Sequence, residues 1–195
     1  MIEDSARLAG VQAMGRHEPG WLGIQEKQFP VGRLEEAVNL ALRHESGEEK
    51  ETLLSASNVR HGDFRDLLPP GHPASLVLAM STRCIANDGS ERHLPMLDFQ
   101  CPPDAYFLTA LQFGLKKIVP GGGAVVHSGR SFHFFGFCHM TEPRWREFMY
   151  RALLLAPLTD ARYVAHRLID GYADLRITAS PMKPTIPTIA AYVDD

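Results

Sequence analysis

Apolar and polar positions alternate with a period of two in three short stretches of the chain. They are Leu97-Asp98-Phe99-Gln100, Ser131-Phe132-His133-Phe134 and Asp174-Leu175-Arg176-Ile177-Thr178. Side chains two apart on a strand share a face, so each stretch predicts a β-strand with a buried apolar side and a polar pair opposite. Placed in one sheet, the three strands would gather Asp98, Gln100, Ser131, His133, Asp174 and Arg176 on one surface.

The rest of the pattern places helices and turns around these strands. Leu34, Ala37, Val38, Ala41 and Leu42 recur at helical spacing, which predicts a short amphipathic helix ending near residue 44. An acidic run follows over 45–51, and Pro69-Pro70-Gly71-His72-Pro73 is a firm breaker. Beyond it, 75–86 reads as a strand, 87–90 as a turn and 93–99 as the returning strand of a hairpin. Residues 104–117 suit a helix with Phe107, Leu108, Leu111 and Leu115 on its buried face. Gly121-Gly122-Gly123 leads into a strand over 124–127, and Ser128-Gly129-Arg130 turns into the strand 131–137. Thr141 is a suitable N-cap for a helix carrying Trp145, Phe148, Met149 and Ala152. Pro157 breaks that helix, another runs from 160 to 170 and stops at Gly171, and strands are predicted at 173–178 and 188–193. The chain therefore reads as α+β, with an N-terminal region (1–73) of unassigned role packing on a core at 74–195.

Composition narrows the class. The chain has 195 residues, 45% hydrophobic and 22% charged, which suits one ordinary globular domain with an appended segment. No apolar run approaches the roughly 20 residues that span a bilayer, and the acidic start lacks a secretory leader's pattern, so a cytoplasmic protein with no membrane partner is expected. Three widely spaced cysteines give neither a disulfide framework nor a zinc module; Cys138-His139 has no partners at finger-like spacing. The net charge of -3 argues against a basic coat for duplex binding. It is unevenly spread: residues 1–103 carry 10 Lys and Arg against 15 Asp and Glu, whereas 104–195 carry 10 against 8. Contact with nucleic acid would rest on a local groove.

Taken singly, the polar residues have ordinary readings. Asp98 fits an edge position, His133 a hydrogen-bonded, half-buried histidine, and Asp174 with Arg176 a surface ion pair of little energetic weight. Together, carboxylates for a divalent metal and His, Ser and Arg for an anion are what phosphoryl transfer requires.

Their order resembles the catalytic core of the archaeo-eukaryotic primase superfamily, the primase–polymerases, over residues 94–193. That family's pattern has a DxD strand, a strand preceded by a Ser-Gly turn and carrying SxH, and a later strand with one Asp. Leu97-Asp98-Phe99-Gln100 stands at the first, Ser128-Gly129-Arg130-Ser131-Phe132-His133-Phe134 at the second and Tyr172-Ala173-Asp174-Leu175-Arg176-Ile177-Thr178 at the third. Lys183-Pro184 is similar to the basic residue that follows the third motif in many members. The resemblance implies an RRM-like mixed or antiparallel sheet with helices packed on it. It also implies nucleotidyl transfer, as a DNA or RNA primase or polymerase in replication or repair, with Mg²⁺ or Mn²⁺ as cofactor. Asp98, Gln100 and Asp174 would hold metal, and Asp98 and Asp174 would be the catalytic acids. Ser131, His133 and Arg130, with Arg176 and Lys183, would hold the phosphates of a nucleoside triphosphate. Single-stranded DNA or RNA would be the further partner.

The first motif departs from the family pattern, because its second carboxylate is Gln100. An amide oxygen coordinates Mg²⁺ without contributing charge, so metal affinity and two-ion geometry are both weakened. The readings left open are a nucleotidyltransferase, active or degenerate, a catalytically inactive nucleotide- or nucleic-acid-binding regulatory module, and an unrelated α+β domain with solvent-facing alternation. Phe132 and Phe134 are expected in the core. Phe135 and Phe137 fall on the polar face, either as stacking surfaces for bases or under a covering helix.

Overall fold

The computed structural model describes Leu42 and residues 77–179 and 183–194. The chain divides into two units, Met1–Glu48 and Glu49–Asp195, and every element named below belongs to the second. The helix expected near 34–44 lies outside the described residues except for Leu42, which is helical and exposed. The acidic run at 45–51 and the breaker at 69–73 also lie outside them.

The fold is α+β and its ladders are antiparallel. The main sheet has four strands in the order β4 (Met96–Asp98), β6 (Phe132–Gly136), β5 (Gly123–His127) and β8 (Thr188–Val193). Between β4 and β5 lies helix α1 (Ala105–Ile118); helices α2 (Glu142–Leu153) and α3 (Ala161–Asp170) follow β6. Two further pairs complete the described body: β1 (Ala79–Ser81) with β7 (Asp174–Arg176), and β2 (Arg83–Ile85) with β3 (Glu91–His93).

Each helix follows its sequence cues. Asp104 Oδ1 accepts from the Phe107 amide at 2.9 Å and caps α1, while Phe107, Leu111 and Leu115 form its buried stripe; Leu108, expected with them, is half-buried. Thr141 stands at the N-cap of α2, and Trp145, Phe148, Met149 and Ala152 are buried as expected. Asp160 caps α3 by accepting from the amides of Arg162 and Tyr163, and Gly171, at φ 81°, ends the helix in the left-handed region. Among the described residues no helix is long and apolar enough to cross a membrane, and Cys84, Cys101 and Cys138 form no disulfide with one another.

Two predicted strands are each broken in two. The described part of the one expected at 75–86 changes partner at Thr82. Its amide donates to Ala173 O and its carbonyl accepts from the Leu94 amide, both at 2.8 Å, so β1 joins β7 and β2 joins β3. The strand expected at 93–99 breaks at Pro95, which has no amide to give a ladder; its carbonyl accepts from Gly136 N instead.

The larger correction concerns the third polar strand. It does not share a sheet with the other two, because among the described residues β7 pairs with β1 alone. Residues paired across a ladder point the same way, so Met96, Asp98, Ala124, Val126, His133 and Phe135 share one face of the main sheet. Leu175 and Ile177 of the β7 segment pack on the apolar members of that face, joined by Leu78, Met80, Leu94 and Tyr163. The polar strand thus lies across its companions, because alternation left Leu175 and Ile177 an apolar side to bury. Phe135 is buried there, beneath the β7 segment with Tyr163 of helix α3 packed on the same cluster, and Phe132 and Phe134 are buried as expected.

Gly122 turns the chain into β5 at φ +65°, and a Cβ placed there would stand 2.3 Å from Val193 O. Gly89 has a similar φ of +79° but open space around it. Gly89→Ala is expected to cost only the left-handed backbone strain, about 1–2 kcal/mol. Gly122→Ala must also displace the β8 backbone and should lose at least about 2 kcal/mol more. Urea unfolding of both variants measures this; equal losses would contradict the assigned β5–β8 contact.

Candidate functional site

The site begins where β4 ends. Asp98 is opposite His133 in the ladder, and its Oδ1 lies 3.5 Å from His133 Nε2. The Asp98 side chain is 26% exposed and that of His133 3%. His133 Nδ1 is buried with no hydrogen-bond partner among the described residues. Burial raises the Asp98 carboxyl to about 6, against the lowering influence of Lys183; Asp160 adds to the rise and Arg176 opposes it. Burial also lowers the His133 imidazole to about 3, assisted by Lys183 and Arg176. An ion pair would shift the two groups the other way. The contact is therefore that of a carboxyl beside a neutral imidazole, at a separation long for a hydrogen bond.

The turn before β6 is tightly held. Ser128 N and Ser128 Oγ both donate to Ser131 O, at 2.9 and 3.0 Å, and Gly129 takes φ 110°. Ser131 Oγ is buried. It lies near the Cys101 thiol, whose pKa burial pushes up to about 11 and the Ser131 hydroxyl tempers. Arg130 is exposed in this turn.

Arg176 reaches back to the same turn. Its guanidinium donates to Ser128 O at 2.8 Å, to Thr185 O at 3.0 Å and to Thr178 O. It thus clamps the turn to the segment carrying Lys183, and its charge is felt by both Asp98 and His133. Asp174 is drawn toward α3: its Oδ2 lies 3.6 Å from Arg167 Nη1, which is also 3.1 Å from Asp170 Oδ2. Gln100 is exposed and donates from Nε2 to Pro157 O at 2.9 Å.

The structure therefore brings Asp98, His133, Arg176 and Lys183 into one electrostatic neighbourhood and directs Asp174 toward Arg167. Among the described residues, no three of His, Cys, Asp or Glu are placed to share a metal ion. The donors suit one divalent ion that arrives with phosphates, since Mg²⁺ is commonly held by one or two carboxylates, substrate phosphates and water. They do not suit a protein-held pair of ions.

Sequence reasoning missed three residues of α3 or its cap. Asp160 donates from its amide to Asp98 O at 3.1 Å and adds its charge to the site. Tyr163 has a buried hydroxyl with no partner among the described residues, and its ionisation is opposed by burial, then by Asp98, Asp174 and Asp160. Arg167 lies 5.9 Å from the Tyr163 ring centroid and holds Asp174. The i, i+4 spacing of Tyr163 and Arg167 was the available sign that they share a helix face.

The opposed shifts give a pH prediction. Asp98 binds its proton more tightly folded than at its ordinary 3.8, so its contribution to stability is lost as pH rises through about 6. His133 binds its proton less tightly than at its ordinary 6.5, so its contribution is lost as pH falls toward about 3. Between pH 4 and 6 the two slopes cancel. Asp98→Asn should uncover the histidine slope, with unfolding free energy falling on the order of 2 kcal/mol from pH 6 to pH 4. His133→Gln should show the reverse slope. Parallel pH profiles for both variants and the parent in urea unfolding would rule out this assignment.

A family model described as AEP-like, archaeo-eukaryotic primase 1D-like, matches residues 37–188, more than three quarters of the chain. The match covers all three polar-strand motifs and begins well before residue 74, so the family pattern extends into the N-terminal region. No match was found among curated proteins or solved structures. With the motifs, the α+β core and this coverage in agreement, the chain belongs to the AEP-like, archaeo-eukaryotic primase 1D-like family.

Proposed function

We propose that this primase–polymerase-like domain binds a nucleoside triphosphate beside Asp98 and His133 and supports metal-dependent nucleotidyl transfer to a single-stranded nucleic acid. The observation that carries this reading is the placement of Asp98 against His133 under the combined charge of Arg176 and Lys183. Each group has a separate task. Asp98, raised to about 6, is largely ionised at neutral pH and offers the site's anionic oxygen to a cation. His133 stays neutral, so it has one N–H to donate to a phosphate oxygen. Arg176 is a positioning residue through its grip on Ser128 O, while Lys183 and the exposed Arg130 are cations for phosphate. Mg²⁺ or Mn²⁺ held by Asp98, with Gln100 as a further oxygen donor and the phosphates completing its shell, would neutralise charge on the transferring phosphate.

A second reading has its own support. Gln100 is uncharged and Asp174 is paired with Arg167, which favours a domain that binds nucleotide without turning it over.

Incorporation of labelled NTP or dNTP on primed and unprimed single strands, with Mg²⁺ or Mn²⁺, separates the two readings. For an active site, Asp98→Ala abolishes incorporation and Gln100→Asp raises it roughly tenfold by restoring a charged ligand. Indifference to both substitutions removes the metal-site assignment. For the binding-only reading, triphosphate at about 100 times its dissociation constant stabilises the fold by roughly 2.7 kcal/mol without incorporation. An unchanged melting temperature removes both readings.

A further inference from the structure

Asp170 and Asp174 converge on a single nitrogen. Arg167 Nη1 lies 3.1 Å from Asp170 Oδ2 and 3.6 Å from Asp174 Oδ2, so it stands between a carboxylate of α3 and one of β7. All three side chains are largely withdrawn from water, with 21% of Arg167, 12% of Asp170 and 17% of Asp174 exposed. Local chemistry makes the arrangement firm. Arg167 and Asp170 are three residues apart, neighbours on one helix face. Asp160 caps the start of α3, and Gly171, at φ 81°, turns the chain into the segment that leads to β7. The Tyr163 ring, its centroid 5.9 Å from the Arg167 guanidinium, flanks the cation. An exposed ion pair would have little energetic weight, whereas removing one partner of a buried pair leaves a costly unmatched charge.

We infer that Arg167 serves Asp174 as a built-in counter-cation and keeps that carboxylate from divalent metal, so that the domain handles its nucleotide with a single ion. The position between Asp170 and Asp174 has the character of a cation site, since two acidic oxygens face one point. The protein's own charge fills that point. A guanidinium stays protonated at any pH at which the fold persists, so a change of pH does not release it. It is also tethered to α3, and therefore competes with dissolved ions at a fixed effective concentration. A divalent ion would reach Asp174 only by displacing Arg167 and leaving Asp170 as the guanidinium's partner in the pair. The two acids of the sequence motifs thus have different tasks. Asp98 takes the ion that arrives with phosphates, and Asp174 ties β7 to α3. The single-ion statement rests on the proposed nucleotide pocket; the exclusion of metal from Asp174 does not.

Titration of the full chain with Mn²⁺ alone, read from the electron paramagnetic resonance signal of the free ion, tests it. In the parent, Asp174→Asn is expected to leave Mn²⁺ binding unchanged. Arg167→Met empties the position between the two carboxylates and should bind Mn²⁺ at least roughly tenfold more tightly than the parent, the scale on which neighbouring groups shift metal affinity. Adding Asp174→Asn to Arg167→Met should abolish that gain, whereas Arg167→Lys keeps the charge and should bind as the parent does. Where Arg167→Met does not fold, Arg167→Gln retains a donor for the carboxylates and carries the same expectation. Weakened binding on Asp174→Asn in the parent, or no gain in the neutral Arg167 variants, overturns the inference. Repeating the titrations with a non-hydrolysable triphosphate reports the pocket separately. A triphosphate-dependent Mn²⁺ site lost on Asp98→Asn and kept on Asp174→Asn supports both readings. Its absence, with the Arg167→Met gain intact, sinks the pocket and keeps the exclusion; its loss on Asp174→Asn sinks the exclusion and keeps the pocket.

Discussion

The packing of Leu175 and Ile177 across Met96, Ala124, Val126 and Phe135 governs the rest of the site. Apolar burial of this kind contributes roughly 1.5–3 kcal/mol for each large side chain. It also determines what surrounds the polar residues of the same face. Asp98 and His133 lie in the rows that this layer covers, so water is largely withdrawn from both. The upward shift of the carboxyl and the downward shift of the imidazole follow from that withdrawal, and charge pairing plays a minor part.

A neutral imidazole beside a reluctantly ionised carboxyl is a costly arrangement. His133 Nδ1 adds a buried polar atom with no hydrogen-bond partner among the described residues. Groups of this kind are usually satisfied, and leaving one unmatched costs about 1–3 kcal/mol. Arg176 meanwhile uses its donors on backbone carbonyls, which makes it the brace of the turn that leads into His133.

Much of this was legible in the sequence, for local reasons. Asp104, Asp160 and Gly171 mark helix ends by chemistry that acts within one turn. The period-two pattern placed Asp98 and His133 on one face because strand pairing preserves side. What was not legible depends on partners distant in sequence. Alternation in Asp174-Leu175-Arg176 fixes which residues face inward but not which sheet receives them, so β7 was assigned to the wrong ladder. The attraction of Asp174 to Arg167 and the closeness of Tyr163 to the acids depend on how α3 is docked, which no local pattern encodes. The register shift of β8 opposite Val125 and Val126 is likewise invisible, since Thr188-Ile189-Ala190-Ala191-Tyr192-Val193 carries no Gly or Pro to announce it.

Thr82 gives the outer layers a common mechanical anchor. Its amide and hydroxyl both engage Ala173, at the threshold of β7, while its carbonyl engages Leu94, one residue beyond β3. The residue is fully buried, so water cannot replace any of these bonds while the fold persists. The hairpin and the covering strand are therefore linked through one residue. A displacement of the β2–β3 ribbon at Thr82 must strain the bonds that seat β7, the strand that bears Asp174 and Arg176.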